Sequence, residues 1–232
     1  TTLFRSRLRA PNQISLAAKA SGEPEFREIG LGPWSETHPG EPRPDDPTSS
    51  NYDGRFDSVL LNDGDRRNVL DRYRYWTVAA IKADLDARGR HDFEVAVENW
   101  THDFNIGSMV RTANAFQAKR VHIVGPHKWN RKGALMTELY QHVEHHPSIA
   151  ELVESWHHRI AGEIAYERAK AGAAAIHAHD VAVDGDNKHL HELLAEIDAC
   201  DARIKELQAA RVIALDIIPG AVPMEAYAFP KR

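Results

Sequence analysis

The segment Val95-Ala-Val-Glu-Asn-Trp-Thr-His-Asp-Phe-Asn-Ile-Gly-Ser-Met-Val-Arg-Thr-Ala-Asn-Ala-Phe116 concentrates the residues able to do chemistry. A β-prone run leads into a polar loop and then into Asn105-Ile-Gly107 at the start of a helix. Arg111-Thr-Ala113 follows one and a half turns further on. Asn105 suits an N-cap, whose side chain accepts an orphan backbone N–H. Gly107 allows a neighbouring backbone or a ligand to come close. Arg111, six residues after Asn105, falls near the C-terminal edge of a parallel sheet, where open α/β folds bind ligands. A guanidinium there can anchor phosphate but is a poor base, because it stays protonated. His102 and Asp103 share the loop; such a pair can do acid–base work, but sequence neighbours usually point apart. Downstream, Lys128, Trp129, Arg131 and Lys132 offer cations and an aromatic ring. That combination grips RNA through phosphates and base stacking, and the same residues equally suit a solvated loop.

Histidines cluster at 142, 145 and 146, at 157 and 158, and at 177 and 179. The first group has the spacing of a metal site on a helix. No Cys pair accompanies it, and the expectation is that no metal is bound.

A strand–helix–strand alternation must hold these residues in place. Phe93–Glu98 and Val121–Val124 read as buried-type strands, with helical spacing at Val110, Ala113 and Phe116 between them. Val212–Asp216, closed by Pro219-Gly220, reads as a third strand. The fold class is therefore α/β, with a parallel Rossmann-like sheet and flanking helices. Two helical stretches intervene. Leu152, Val153, Trp156, Ile160 and Ile164 form one stripe, and Leu190, Leu193, Ile197, Cys200, Ile204 and Leu207 form a seam stepping by three and four. A helical hairpin with 173–186 as its connector is expected, its seam serving core packing or a dimer contact. Upstream, Asn68–Leu85 supports one or two helices ending before Gly89. Residues from Ser21 to Asp57 are rich in Pro, Gly and acids, a composition expected to stay disordered. The expected organisation is a disordered leader over 1–57, an N-terminal helical segment over 58–90 and the α/β domain over 91–232.

The net charge is −5, which does not advertise a nucleic-acid binder. Its distribution is uneven: 21–71 carries 12 acids against 5 bases, whereas 72–135 carries 11 bases against 6 acids. The positive stretch is the one holding the Asn105–Arg111 segment, as phosphate contact requires. A single cysteine, Cys200, excludes an intrachain disulfide framework and fits a reducing compartment. No apolar run is long enough to span a bilayer, so no membrane partner is expected and the cytoplasm is the default location. No Gly-x-Gly-x-x-Gly follows the first strand, which argues against a dinucleotide-binding module.

The Val95–Phe116 segment resembles the first signature motif of the SpoU/TrmH family of RNA 2'-O-ribose methyltransferases. In that motif an Asn, a Gly and an Arg-Thr-Ala run occur in this order and spacing. Val121-His-Ile-Val-Gly125 is similar to the strand that follows in the family, and Val212–Ala221, with Asp216 and the Pro-Gly turn, to the next strand and turn. The resemblance covers roughly 68–140 and 211–232. It implies a partial SPOUT (α/β knot) fold with a helical insertion at about 150–210. It also implies S-adenosylmethionine as cofactor, tRNA or rRNA as partner, and a homodimer. Arg111 and Asn105 would be the catalytic pair, with Lys128, Trp129, Arg131 and Lys132 as the RNA-binding set. The family's second motif, a Gly-x-Glu-rich turn, and its third, a Ser-Leu-Asn run, are not present. They are expected beyond Arg232, and the donor-binding residues with them. The chain, which opens on Thr1, is accordingly read as a fragment. A non-catalytic RNA-binding or dimerisation module is the alternative.

Overall fold

The computed structural model describes residues 12–23, 29–100, 105–184, 186–216 and 218–229. Their elements are α1 (Gln13–Ala20), α2 (Trp34–Thr37), α3 (Ser58–Asp63), α4 (Val78–Ala87), β1 (His91–Glu98), α5 (Ile106–Ala115), β2 (Ala118–Val124), β3 (Val143–His146), α6 (Ile149–Asp184) and α7 (Asn187–Ala209). The chain divides into two compact units. One comprises 1–90 and 135–140, the other 91–134 and 141–232.

In the first unit, side-chain caps set the starts of α3 and α4. Asp57 accepts the Val59 N–H at 2.9 Å ahead of α3, and Thr77 Oγ1 accepts the Ala80 N–H at 3.1 Å ahead of α4. On α4, Ile81 and Leu85 lie one turn apart and pack with Tyr73, Trp76 and Tyr140. Within the expected leader, the stretch from Ile29 to Asp57 departs from its composition. Trp34 is buried with Leu61 and Tyr75, and it stacks on His38 with ring centroids 3.7 Å apart. Leu31 and Asp65 exchange two backbone hydrogen bonds of 2.9 Å, and the Tyr75 hydroxyl donates to the Gly32 carbonyl at 2.6 Å. Composition averages over the segment, whereas ordering is offset locally by one large aromatic and a few backbone bonds. A buried charge completes this unit: Asp65, with no exposed surface, pairs with Arg67 at 2.8 Å and accepts the Tyr75 N–H at 2.9 Å.

The second unit is mixed α/β, with helices flanking a parallel sheet in the order β1-β2-β3. Val95 pairs with Val121 and Val121 with Val143. These valines share one face of the sheet with Val97 and Ile123, and α5 covers that face with Ile106, Val110 and Ala113. Ile106 and Val110 are 1% and 0% exposed, and burying each contributes about 1.5–3 kcal/mol. The third strand is not the expected one. Val143-Glu-His-His146 pairs with β2, while Val212–Asp216 lies outside the sheet, with Val212 and Leu215 exposed. Backbone bonds from the Val121 N–H to the His142 carbonyl and from the Gly125 N–H to the His146 carbonyl fill that edge of β2.

The helical hairpin forms as expected, but its connector is shorter: α6 runs to Asp184, and Asp186 caps α7 by accepting the His189 N–H. The alanines of 173–178 propagate the helix instead of breaking it. Ala174, Ala178 and Val181 pack against Leu193, with Leu190 and Ile197 beside them. The α7 seam is thereby used inside the hairpin, with Leu193, Cys200 and Leu207 all buried, so it offers no free dimer surface. No helix among the described residues is long and apolar enough to cross a membrane.

Candidate functional site

The start of α5 sits at the C-terminal edge of the sheet and packs directly on the basic turn that follows β2. A Cβ at Gly107 would lie 2.8 Å from the Ala134 nitrogen, 2.8 Å from the Asn130 carbonyl oxygen and 2.9 Å from the Gly133 Cα. The close approach expected of Gly107 is therefore made to the backbone of 130–134. Two segments that are separate in the sequence are brought together by it. Arg111, one turn beyond Gly107, lies along the same helix face. It is exposed and makes no hydrogen bond or ion pair with the described residues. Lys128, Arg131 and Lys132 are exposed as well. The Asn130 side chain accepts the Lys132 N–H at 2.9 Å and shapes the turn.

Two of the expected side chains behave differently. Trp129 is 8% exposed and belongs to the α5 core cluster. Its indole is not available for base stacking; it carries Arg131, whose guanidinium carbon lies 5.9 Å from the ring centroid. An apolar ring beside Ile106 and Val110 gains more from burial than from exposure, which a loop position in the sequence does not reveal. Trp100, 49% exposed at the end of β1, is the accessible indole on this edge. Asn105 occupies the N-cap position but in helical conformation, and its side chain does not cap α5. His102 and Asp103 lie outside the described residues. Asn99, which sequence reasoning passed over, is fully buried: its amide donates to the His127 carbonyl at 2.7 Å, while its Oδ1 has no partner among the described residues. Gly125, with φ 126°, lets the chain pass where a Cβ would stand 2.9 Å from the Asn99 carbonyl oxygen.

These contacts decide the sign of a glycine substitution. In an open helix, Gly→Ala stabilises by about 0.8–1 kcal/mol. Gly162 and Gly172 on α6 have nothing within 4 Å of an added Cβ, so Gly162→Ala is expected to raise the thermal midpoint. Gly107→Ala forces backbone against backbone and is expected to lower stability by about 1–3 kcal/mol. Paired thermal melts of the two variants check this. Equal shifts would mean that α5 does not rest on the turn.

The opposite face of the sheet is polar, and α6 covers it. His122 Nε2 lies 2.8 Å from Glu94 Oε2, and Arg159 reaches the same oxygen at 2.9 Å. Arg120 holds Glu144 Oε1 at 2.7 Å. His122 Nδ1 faces His146 Nε2 at 3.1 Å. Burial pushes the Glu94 carboxyl up, but His122 and Arg159 outweigh it and leave the group below its usual range. Burial, then the neighbouring His122, lowers His146. The sequence cluster at 142, 145 and 146 is not what assembles: alternation sends His145 to the other side of the strand, exposed, while His146 meets His122 and Glu144. The signal missed was register, since His122 and Glu144 are direct partners in the ladder. Beyond this cluster, between β1, β2, α6 and α7, Asp92, Lys119, Glu163 and Arg203 pair with one another.

No family model, no curated protein and no solved structure matches the chain.

Proposed function

We propose that the protein belongs to a SpoU/TrmH-type RNA methyltransferase, moving a methyl group from S-adenosylmethionine to a ribose 2'-hydroxyl of tRNA or rRNA in the cytoplasm. The observation that carries this reading is the Gly107 contact, which sets the exposed Arg111 on the helix packed against the Lys128–Lys132 turn. A phosphate bound there would be held from two elements, and phosphate contacts fix the register of a nucleic acid without reading its sequence. Arg111 would anchor the phosphate beside the target ribose and stabilise the alkoxide forming at its 2'-oxygen. Water or the phosphate would take the proton, which a guanidinium cannot accept. Trp100 replaces Trp129 as the stacking surface in this reading.

The described residues do not by themselves fit the methyl donor. The cleft lined by Asp92, Glu94, Lys119, Trp156, Ile160 and Leu207 among others has an apolar side, but its charged groups already pair with one another. It lies by the N-terminal ends of β1 and β2, whereas Arg111 is on the helix that starts at their C-terminal edge. The knot and the homodimer belong to the same proposal, with an interface away from the α7 seam.

RNA binding by this chain tests the interface. Anisotropy titrations of bulk tRNA at several salt concentrations should give an affinity that falls with salt. The triple variant Lys128→Ala, Arg131→Ala, Lys132→Ala should flatten the slope by about 0.7 for each phosphate no longer neutralised. An unchanged slope would remove the turn from the interface. Binding without methyl transfer, in the natural protein supplied with the donor, would favour a non-catalytic RNA-binding module.

A further inference from the structure

We propose that His122, His146 and Glu144 form a site for a divalent transition metal of the zinc class, on the sheet face opposite α5. The three candidate ligand atoms converge. His122 Nδ1 lies 3.1 Å from His146 Nε2 and 3.4 Å from Glu144 Oε2, and His146 Nε2 lies 3.7 Å from that same oxygen. A tetrahedral ion with bonds of about 2.0–2.1 Å places its ligands about 3.3 Å apart. The three separations straddle that edge length, so a metal at their centre requires only small side-chain adjustments.

The surroundings match what a metal site needs outside its ligands. His122 Nε2 is engaged by Glu94 at 2.8 Å. That contact places the proton on Nε2 and leaves the Nδ1 lone pair aimed at the cluster. Arg120 holds the other oxygen of Glu144, Oε1, at 2.7 Å and so turns Oε2 inward. The ligands come from adjacent hydrogen-bonded strands, with His122 opposite Glu144 and His146 opposite Val124. Backbone register, not loop conformation, therefore fixes their spacing. His122 and His146 are 2% and 7% exposed, whereas the Glu144 side chain is 32% exposed. A fourth ligand, water or an anion, would enter from that side. Arg159 touches Glu144 Oε2 at 3.3 Å but holds Glu94 more closely at 2.9 Å; with an ion bound it keeps the second contact and gives up the first. Two imidazoles and one carboxylate select zinc-like ions over Mg2+ or Ca2+, which prefer all-oxygen shells. The site stands apart from the methyl-transfer reading, since none of its residues lies on α5 or on the 128–134 turn.

The test uses the whole chain, stripped with a chelator, and Co2+ as an optical stand-in for Zn2+. One Co2+ per chain should bind and give the intense visible absorption of four-coordinate cobalt. Zn2+ should displace it, and millimolar Mg2+ should not. His146→Ala should weaken binding at least about a hundredfold, and Glu94→Gln, which loses only the outer carboxylate, about ten- to a hundredfold. His177→Ala with His189→Ala, a histidine pair elsewhere on the hairpin, should change nothing. The wild-type spectrum needs no variant to fold. A six-coordinate spectrum, no Co2+ uptake, displacement by Mg2+, or binding lost with His177 and His189 would each overturn the site.

Discussion

On the proposed activity, Arg111→Ala is expected to cut methyl transfer to RNA by about a hundred- to a thousandfold in the natural protein, while leaving donor binding nearly unchanged. The size follows from the bond removed. One charge-assisted contact to a developing oxyanion is worth roughly 2.7–4 kcal/mol. Interactions that strengthen in the transition state affect turnover more than ground-state affinity. The side chain is exposed and has no partner among the described residues, so its removal breaks no ion pair with them. Arg111→Lys should restore little, because an ammonium lacks the two-pronged donor geometry. Transfer of a labelled methyl group to bulk RNA, alongside calorimetry with the donor, separates the two effects. Wild-type turnover in Arg111→Ala would remove the active site from this helix.

Asp65→Ala should destabilise the unit containing 29–90 by about 3–5 kcal/mol, a large share of an ordinary domain's stability. The loss is not that of a surface ion pair. Asp65 is fully buried and Arg67 is 11% exposed. Removing the carboxylate strands a guanidinium and also orphans the Tyr75 N–H, bonded at 2.9 Å. Replacing both partners, Asp65→Ala with Arg67→Met, should cost less than the single change, because no unpaired charge remains. The pair has a pH signature as well. Burial raises the Asp65 carboxyl, but the Arg67 guanidinium and the Tyr75 and Arg67 N–H groups outweigh it, leaving the group below its usual value. Its stabilisation is complete above the unfolded carboxyl range near ~3.9 and is lost as pH falls through the lower folded value. Asp65→Asn should remove that dependence. Urea unfolding followed by tryptophan fluorescence measures all three variants, and an unchanged midpoint for Asp65→Ala would refute the account.

The sequence by itself determined the local elements and the chemistry of single residues. Phe93–Glu98 and Val121–Val124 alternate or run apolar with β-prone side chains, and both are strands; Val110 and Ala113 mark the buried side of α5; Gly107 signals a close approach, and one exists. Periodicity and propensity act within a few residues, so they are readable one stretch at a time. What depends on which stretch meets which was decided only by tertiary structure. Val143–His146, with a single apolar residue, is a strand because β2 supplies backbone partners, while the more β-prone Val212–Asp216 has no place in the sheet. Trp129 belongs to the core because α5 lies beside it, and Trp34 orders part of a stretch whose composition reads as disordered because Leu61 and Tyr75 receive it. The cluster of His122, Glu144 and His146 was illegible for the same reason. Its members are 22 and 24 residues from His122 along the chain, and only the register of two parallel strands, a property of pairing and not of either strand alone, sets them side by side.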